Sequence, residues 1–207
     1  MKSQTDVQSP IDLRTMSDAH AWADSAMQKR PWRQEFFTAF VNELRALNRK
    51  KLSILELGSG PGFLAHQILQ SFSEATYTML DFSPAMHELA QQELGSFTQN
   101  VHFIQTDFKT EEWTLSLDSY DAVVTLQAVH ELRHKRHASK LHFSVRGFLR
   151  KGGIYLVCDH SIGSDGMTNT DLYMTIEEQR LALENAGFKQ IQCVLNKGGL
   201  VLHRASD

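Results

Sequence analysis

The chain has 207 residues, of which 42% are hydrophobic, so it can bury one substantial core without needing a second globular domain. Its 21 basic and 24 acidic residues give a net charge of −3, and the basic residues are scattered apart from Arg133 to Lys140, which argues against a nucleic-acid partner. The polar start, Met1 to Arg14, lacks the apolar segment of a signal peptide, and no apolar run approaches the roughly 20 residues of a membrane span, so we expect a cytoplasmic protein with no membrane partner.

The first 50 residues predict a helical extension. Pro31 is favoured at the start of a helix, and the apolar residues that follow it recur at three-to-four spacing. One face of that helix is expected to be buried, formed by Phe36, Phe37, Phe40, Val41, Leu44 and Leu47. We therefore divide the chain into an N-terminal helical extension, 1–50, and a main domain, 51–207.

From Ser53 onward, short apolar runs alternate with helical segments, a pattern typical of βαβ units and a parallel sheet. A serine cap with proline at Ser83-Pro84 and a capping box at Thr175 predict two of the helices, and Gly187 ends the second. The two cysteines, Cys158 and Cys193, fall in strand-like runs, so we expect reduced, buried thiols. The predicted strands are 53–57, 76–81, 101–105, 121–125 and 153–159, followed by a tail of two strands, 188–195 and 199–203, joined by a tight turn.

The first strand leads into a glycine-rich turn, Ile54 to Gly62. Glycine leaves no Cβ between the main chain and a ligand, so this turn predicts a nucleotide-like cofactor. A dinucleotide fingerprint requires a third glycine three residues after the second, but that position is Phe63. The turn therefore argues against a nicotinamide oxidoreductase. Its predicted cofactor-binding residues are Glu56, Gly58, Ser59, Gly60 and Gly62.

The motif Glu56-x-Gly58-x-Gly60-Pro61-Gly62 resembles the first motif of the class I S-adenosylmethionine-dependent methyltransferases, and the resemblance extends over about residues 51 to 207. It implies an α/β fold with a Rossmann-like, mostly parallel seven-stranded sheet of order 3-2-1-4-5-7-6, with the last strand antiparallel and helices on both faces. It also implies S-adenosyl-L-methionine as cofactor and S-adenosyl-L-homocysteine as product.

Further cofactor contacts are predicted at the strand ends. Asp81 ends the second strand about twenty residues after Gly58, the spacing of an acid that accepts two ribose hydroxyls. Taken singly, Asp81 also suits a helix cap, and an acid after the third strand also suits an ordinary turn. By the resemblance, the remaining adenosine and methionine contacts come from Phe82, Asp107, Phe108, Thr125, Leu126 and Gln127.

The segment His130-Glu131-Leu132-Arg133-His134 fits the zinc-hydrolase pattern His-Glu-x-x-His. A catalytic zinc needs a third protein ligand, and the position expected for a third histidine is Lys140. We therefore predict no metal and interpret this segment as a helix whose polar residues face a substrate pocket. The basic residues 133 to 137 then form a solvated helix end or, alternatively, a basic rim for an anionic substrate.

Methyl transfer requires an acceptor held in line with the methyl group, and a hydroxyl or ammonium acceptor also requires a base. His130 and His160, which follow the fourth and fifth strands, are the candidate bases. Alternatively, His160 caps its loop, either histidine orders a water molecule, or no base is used. The substrate lid is predicted to consist of Trp22, Arg30, Trp32 and Arg33, with Tyr173 opposite, although core packing and surface charge also account for these residues.

These features together predict a methyltransferase that acts on oxygen, nitrogen or carbon of a small-molecule acceptor. The sequence Thr125-Leu126-Gln127-Ala128 differs from the Asn/Asp-Pro-Pro-Tyr/Phe motif of amino-methylating nucleic-acid enzymes, which excludes that class. Two alternatives stay open: a noncatalytic cofactor-binding protein of the same fold and a zinc hydrolase using His130, Glu131 and His134.

Overall fold

The computed structural model describes residues 5–207 and contains one seven-stranded sheet. Residues 1–4 of the predicted extension lie outside the described residues. The strands are β1 (Ser53–Leu57), β2 (Thr76–Asp81), β3 (Val101–Gln105), β4 (Tyr120–Leu126), β5 (Leu149–His160), β6 (Gln190–Lys197) and β7 (Leu200–Ser206). The α-helices are α1 (Met16–Lys29), α2 (Arg33–Ala46), α3 (Phe63–Ser71), α4 (Pro84–Leu94), α5 (Ala138–Gly147) and α6 (Ile176–Asn185).

The strand order is β3-β2-β1-β4-β5-β7-β6, as predicted. The first five strands pair in parallel, and β7 pairs antiparallel with both β5 and β6. Strand β5 begins at Leu149 rather than at the predicted residue 153, because Leu149 pairs with Tyr120 before a register shift in β4. The order reverses between β1 and β4, so the ends of these two strands form the crevice where an open α/β sheet binds ligands.

Local sequence signals explain where several helices begin and end. The Ser83 side chain accepts a hydrogen bond from the Met86 backbone N–H, with Pro84 in the first turn of α4. The capping box at α6 is complete, because Thr175 and Glu178 each accept from the other's backbone N–H. Helix α2 differs from expectation: it begins at Arg33, with Trp32 as its N-cap, so Pro31 lies ahead of the helix.

The sheet separates two apolar clusters, one packed under α2, α3 and α4 and the other under α5 and α6. Phe36, Phe40 and Leu44 of α2 are at most 1% exposed, so this helix shares its core with the sheet. Burial of each of these side chains contributes roughly 1.5–3 kcal/mol. Within the described chain, no helix is long and apolar enough to cross a membrane.

The two cysteines have different environments. Cys158 is buried in β5, as predicted, but Cys193 in the edge strand β6 is exposed, so the prediction of a buried thiol there was wrong. The reason is that β6 is paired on one side only and its side chains are mostly outside the core. Both thiols are free.

Candidate active site

A cavity of about 430 Å³ lies at the carboxyl ends of the central strands, between the glycine turn and residues of α1 and α2. The glycine turn is fixed to the neighbouring strand, because the backbone N–H groups of Gly58 and Ser59 donate to the Leu80 carbonyl at 2.8 and 3.1 Å. Gly58 has φ +62°, and a Cβ added there would lie 2.3 Å from Cβ of Ala128. Only glycine therefore allows the turn to pack against the loop after β4.

Two carboxyl groups line the cavity beside this turn. The Tyr77 hydroxyl donates to Oε2 of Glu56 at 2.9 Å, and Asp81 accepts from the N–H groups of Gly60 and Ser83 at 2.8 and 2.9 Å. Burial raises the pKa of Glu56 to about 8 and the pKa of Asp81 to about 6. A ligand that donates hydrogen bonds or brings a positive charge to these two carboxyl groups therefore stabilises their ionised forms.

On the opposite wall, His130 is paired with Asp159 at the end of β5. Its Nδ1 lies 2.7 Å from Oδ1 of Asp159, and its backbone N–H donates to Oδ2 at 2.7 Å. Burial lowers the pKa of His130, but Asp159 and Glu131 outweigh burial and raise this pKa to about 10. The two hydrogen bonds fix both the position and the ring orientation of His130 at the cavity wall.

A second chain of hydrogen bonds joins Arg33 to Gln127 and His160. A guanidinium donates only, so the Gln127 oxygen accepts from Arg33 and the amide nitrogen donates to Nε2 of His160 at 2.8 Å. Burial lowers the pKa of His160 to about 3. His160 is therefore neutral, and its accepting nitrogen is already occupied by Gln127.

The His-Glu-x-x-His segment does not form the predicted helix. Residues Val129–Leu132 form one 3₁₀ turn, and Arg133 then adopts a left-handed conformation with φ +64°. On an α-helix, two histidines four residues apart lie on the same face. The 3₁₀ turn and the left-handed Arg133 interrupt the helix, so His130 and His134 do not share a face in this way. Nδ1 of His134 instead accepts from the Arg136 backbone N–H, whereas His130 and Glu131 line the cavity, as predicted.

His130, Asp159 and His160 each place one nitrogen or oxygen atom within 4.8 Å of the others. Hydrogen bonds account for this arrangement: Nδ1 of His130 is bonded to Asp159, and Nε2 of His160 is bonded to Gln127. The cluster is therefore explained by its own polar contacts.

Comparison with known proteins finds similarity to methyltransferases. A family model described as a methyltransferase domain matches residues 54–153. Over 103 residues the chain is 33% identical to a malonyl-[acyl-carrier protein] O-methyltransferase from Paenibacillus sp. (strain JDR-2), covering 48% of this chain and 36% of that protein. These matches support a class I S-adenosylmethionine-dependent methyltransferase.

Solved structures show the same methyltransferase fold. An O-methyltransferase family protein from Burkholderia thailandensis has a TM-score of 0.74 at 17% identity, covering 91% of this chain and 59% of that chain. The DhpI–SAH complex has a TM-score of 0.68 at 22% identity, covering 92% and 93%. The chain spans less than two fifths of the length of the curated malonyl-[acyl-carrier protein] O-methyltransferases it matches.

The cavity of this methyltransferase fits the family cofactor. Ser59 Oγ is buried in the glycine turn and has no hydrogen-bond partner in the described chain. A bound ligand could supply that partner. Each carboxylate oxygen of Asp81 accepts one backbone N–H and can accept a further donor, as two ribose hydroxyls require. The aromatic rings of Phe82 and Phe108 supply apolar surfaces suited to the adenine ring of the cofactor.

Most residues predicted for the site line this one cavity: Trp22, Arg30, Arg33, Glu56, Gly58, Ser59, Gly60, Asp81, Phe82, Phe108, Leu126, Gln127, His130 and His160. Five others lie outside its lining: Trp32, Gly62, Asp107, Thr125 and Tyr173. Trp32 packs beside Gly198, and the Tyr173 ring packs against the His130 ring in a tilted arrangement, with 5.4 Å between the ring centroids. Asp107 accepts from the Lys109 backbone N–H in its own turn, the alternative that its position also suited.

Sequence reasoning missed Asp159 as the partner of His130. It also missed the apolar contributions of Phe37 and Met167 to the cavity lining. An acid at the end of β5 next to a histidine was the available signal for Asp159. Nothing in the sequence marks Phe37 as different from the other apolar residues of α2.

Substitution of Asp81 tests the predicted ribose contact. We expect Asp81→Ala to weaken binding of S-adenosylhomocysteine by about 1–3 kcal/mol, because ligand hydroxyls lose their acceptor. Calorimetric titration measures this change. Glu111→Ala, on an exposed acid away from the cavity, is the matched control; equal affinity of the Asp81 variant and the wild type would remove Asp81 from the site.

Proposed function

We propose that the protein transfers a methyl group from S-adenosylmethionine to an oxygen atom of a small acceptor held beside His130. The observation that carries this proposal is the position of the His130–Asp159 pair on the wall of the cavity that the glycine turn opens. The cofactor, when bound, supplies an electrophilic methyl on a sulfonium. The protein's task is to align the acceptor and exclude water.

His130 suits the role of base better than His160. The Asp159 carboxylate accepts from Nδ1 of His130 and stabilises the imidazolium, and Nε2, which lies 3.4 Å from Oε1 of Glu131, receives the acceptor's proton when the ring is neutral. His160, with a pKa lowered by burial and its Nε2 occupied by Gln127, is a weak base. We infer that His160 and Gln127 have a positioning role, because their hydrogen bonds hold the Arg33 side chain at the cavity wall.

Methyl transfer itself tests the proposed function. Incubation with labelled S-adenosylmethionine and a panel of phenols, alcohols and carboxylic acids is expected to yield S-adenosylhomocysteine and a methylated product. Because the curated relatives are named for malonyl-[acyl-carrier protein], the panel includes a carrier-bound malonyl group. Tight cofactor binding without a single turnover on any acceptor would instead favour a noncatalytic binding protein.

Cofactor binding is expected to release protons near neutral pH. The pKa of Glu56 is raised to about 8 by burial, so in the ligand-free protein this carboxyl is largely protonated at pH 7. The cofactor's ammonium group favours the carboxylate and lowers that pKa, so affinity rises from pH 6 to pH 8. Titration calorimetry in two buffers of different ionisation enthalpy measures the released protons, and identical heats in both buffers would contradict the proposed contact.

A further inference from the structure

Arg33 is a buried cation without a counterion. It lies in the first turn of α2, lines the cavity and is 2% exposed. One terminal nitrogen donates to the Gln127 amide oxygen, but Nε is buried with no hydrogen-bond partner among residues 5–207. Burying a charge without a partner costs several kcal/mol, so this arrangement implies that an anion completes the site.

The acids that line the cavity with Arg33 do not supply that anion. Glu56 is bound by the Tyr77 hydroxyl, Asp81 accepts two backbone N–H groups, and Glu131 pairs with Arg133 at 3.4 Å. None of the described carboxylates lies within 4.0 Å of the Arg33 guanidinium. The Trp22 ring, 5.5 Å from the guanidinium carbon, gives a cation–π contact that leaves the charge uncompensated.

A second cation strengthens the requirement for an anion. Arg30 also lines the cavity and is half-buried, and no ion pair joins it to any acid in the described part of the chain. Burial and, to a smaller extent, the charge of Arg30 lower the pKa of Arg33 to about 10, so the two guanidinium groups repel each other. Both guanidinium groups nevertheless stay charged at neutral pH.

We propose that Arg33, assisted by Arg30, is a carboxylate-binding site inside the cavity. The planar guanidinium fork matches the two oxygens of a carboxylate, and the unpartnered Nε supplies a donor for it. The proposal rests on the proposed function, which offers two sources of that carboxylate: the methionine end of the cofactor and an acidic acceptor. Gln127 holds the guanidinium in place from the strand side.

The test compares Arg33→Met with the wild type. Methionine has a similar apolar stem and no charge, and Arg45→Gln, an exposed arginine on the same helix, is the matched control. Calorimetry measures the affinity for S-adenosylhomocysteine and for 5′-methylthioadenosine, which lacks the amino-acid end. This comparison tests whether Arg33 binds the carboxylate of the cofactor. Saturation-transfer NMR with benzoate and malonate against benzamide and malonamide, at saturating S-adenosylhomocysteine, examines the acceptor.

Arg33→Met is expected to weaken carboxylate-bearing ligands roughly 10- to 100-fold and to leave their uncharged analogues unchanged. Loss for S-adenosylhomocysteine alone assigns the carboxylate to the cofactor; loss for benzoate and malonate alone assigns it to the acceptor. Equal binding of every ligand by variant and wild type overturns the proposal. If the wild type binds neither S-adenosylhomocysteine nor 5′-methylthioadenosine, the proposed function fails, independently of the role of Arg33.

Thermal unfolding separates binding from a structural role. Because Arg33→Met removes an uncompensated buried charge, the ligand-free variant is expected to unfold at the same temperature as the wild type or above it. A lower unfolding temperature, with equal losses for 5′-methylthioadenosine and S-adenosylhomocysteine, overturns the proposal. Arg33→Lys keeps the charge but loses the fork, and a folded Lys variant with wild-type affinity for all carboxylates overturns it as well.

Discussion

Gly58→Ala is expected to destabilise the protein by about 2–4 kcal/mol and to remove measurable cofactor binding. Two effects add. The left-handed backbone at φ +62° is strained for any residue with a Cβ, and the added methyl would lie 2.3 Å from Cβ of Ala128. Relief requires the turn or the loop after β4 to move, and both line the cavity. Urea unfolding and calorimetric titration with S-adenosylhomocysteine measure the two effects.

Gly60→Ala provides a matched control within the same turn. Gly60 also has a left-handed backbone, φ +54°, but an added Cβ there meets no protein atom within 4 Å. Its cost to folding is therefore the backbone strain alone, about 1–2 kcal/mol. Equal unfolding free energies for the two variants would show that contact between Gly58 and Ala128 does not limit the turn.

The succession of strands and helices and the position of the cavity at the strand ends were predictable because they depend on short-range signals. Alternating apolar runs and helix caps define the elements, and a parallel sheet brings the ends of its strands to one edge. Glu56 near the end of β1, Asp81 at the end of β2 and Gln127 just after β4 meet at one cavity for this reason. The order β3-β2-β1-β4-β5-β7-β6 came from the resemblance and is confirmed.

The polar contacts between these groups could not be predicted, because they depend on loop paths. Arg33, Gln127 and His160 were assigned to a lid, a cofactor contact and a base, yet they form one hydrogen-bonded chain. Gln127 contacts both partners from a left-handed backbone conformation, φ +57°. Glutamine at this position does not predict that conformation. The 3₁₀ turn after β4 likewise replaces a helix that the spacing of His130 and His134 predicted.

Replacement of His130 by alanine is expected to slow methyl transfer about 10²- to 10⁴-fold, the usual contribution of a general base, with cofactor affinity little changed. Asp159→Asn removes the charge that raises the pKa of His130, so in this variant the rate is expected to rise with pH over a lower range than in the wild type. His137→Ala, a half-buried histidine that pairs with Asp6 away from the cavity, is the control. Single-turnover rates at saturating cofactor measure the chemical step, and calorimetry measures binding.

The pH dependence of transfer decides whether His130 acts as a base or as a cation. Asp159 and Glu131 raise the pKa of His130 to about 10, so at pH 7 the resting ring carries a proton and cannot accept another. A base must be neutral, so transfer to a hydroxyl acceptor is expected to accelerate about tenfold per pH unit from pH 7 to pH 9, and this rise should vanish in His130→Ala. A flat wild-type profile over that range would contradict the base role. It would indicate an acceptor that is already anionic and a His130 that binds it as an imidazolium.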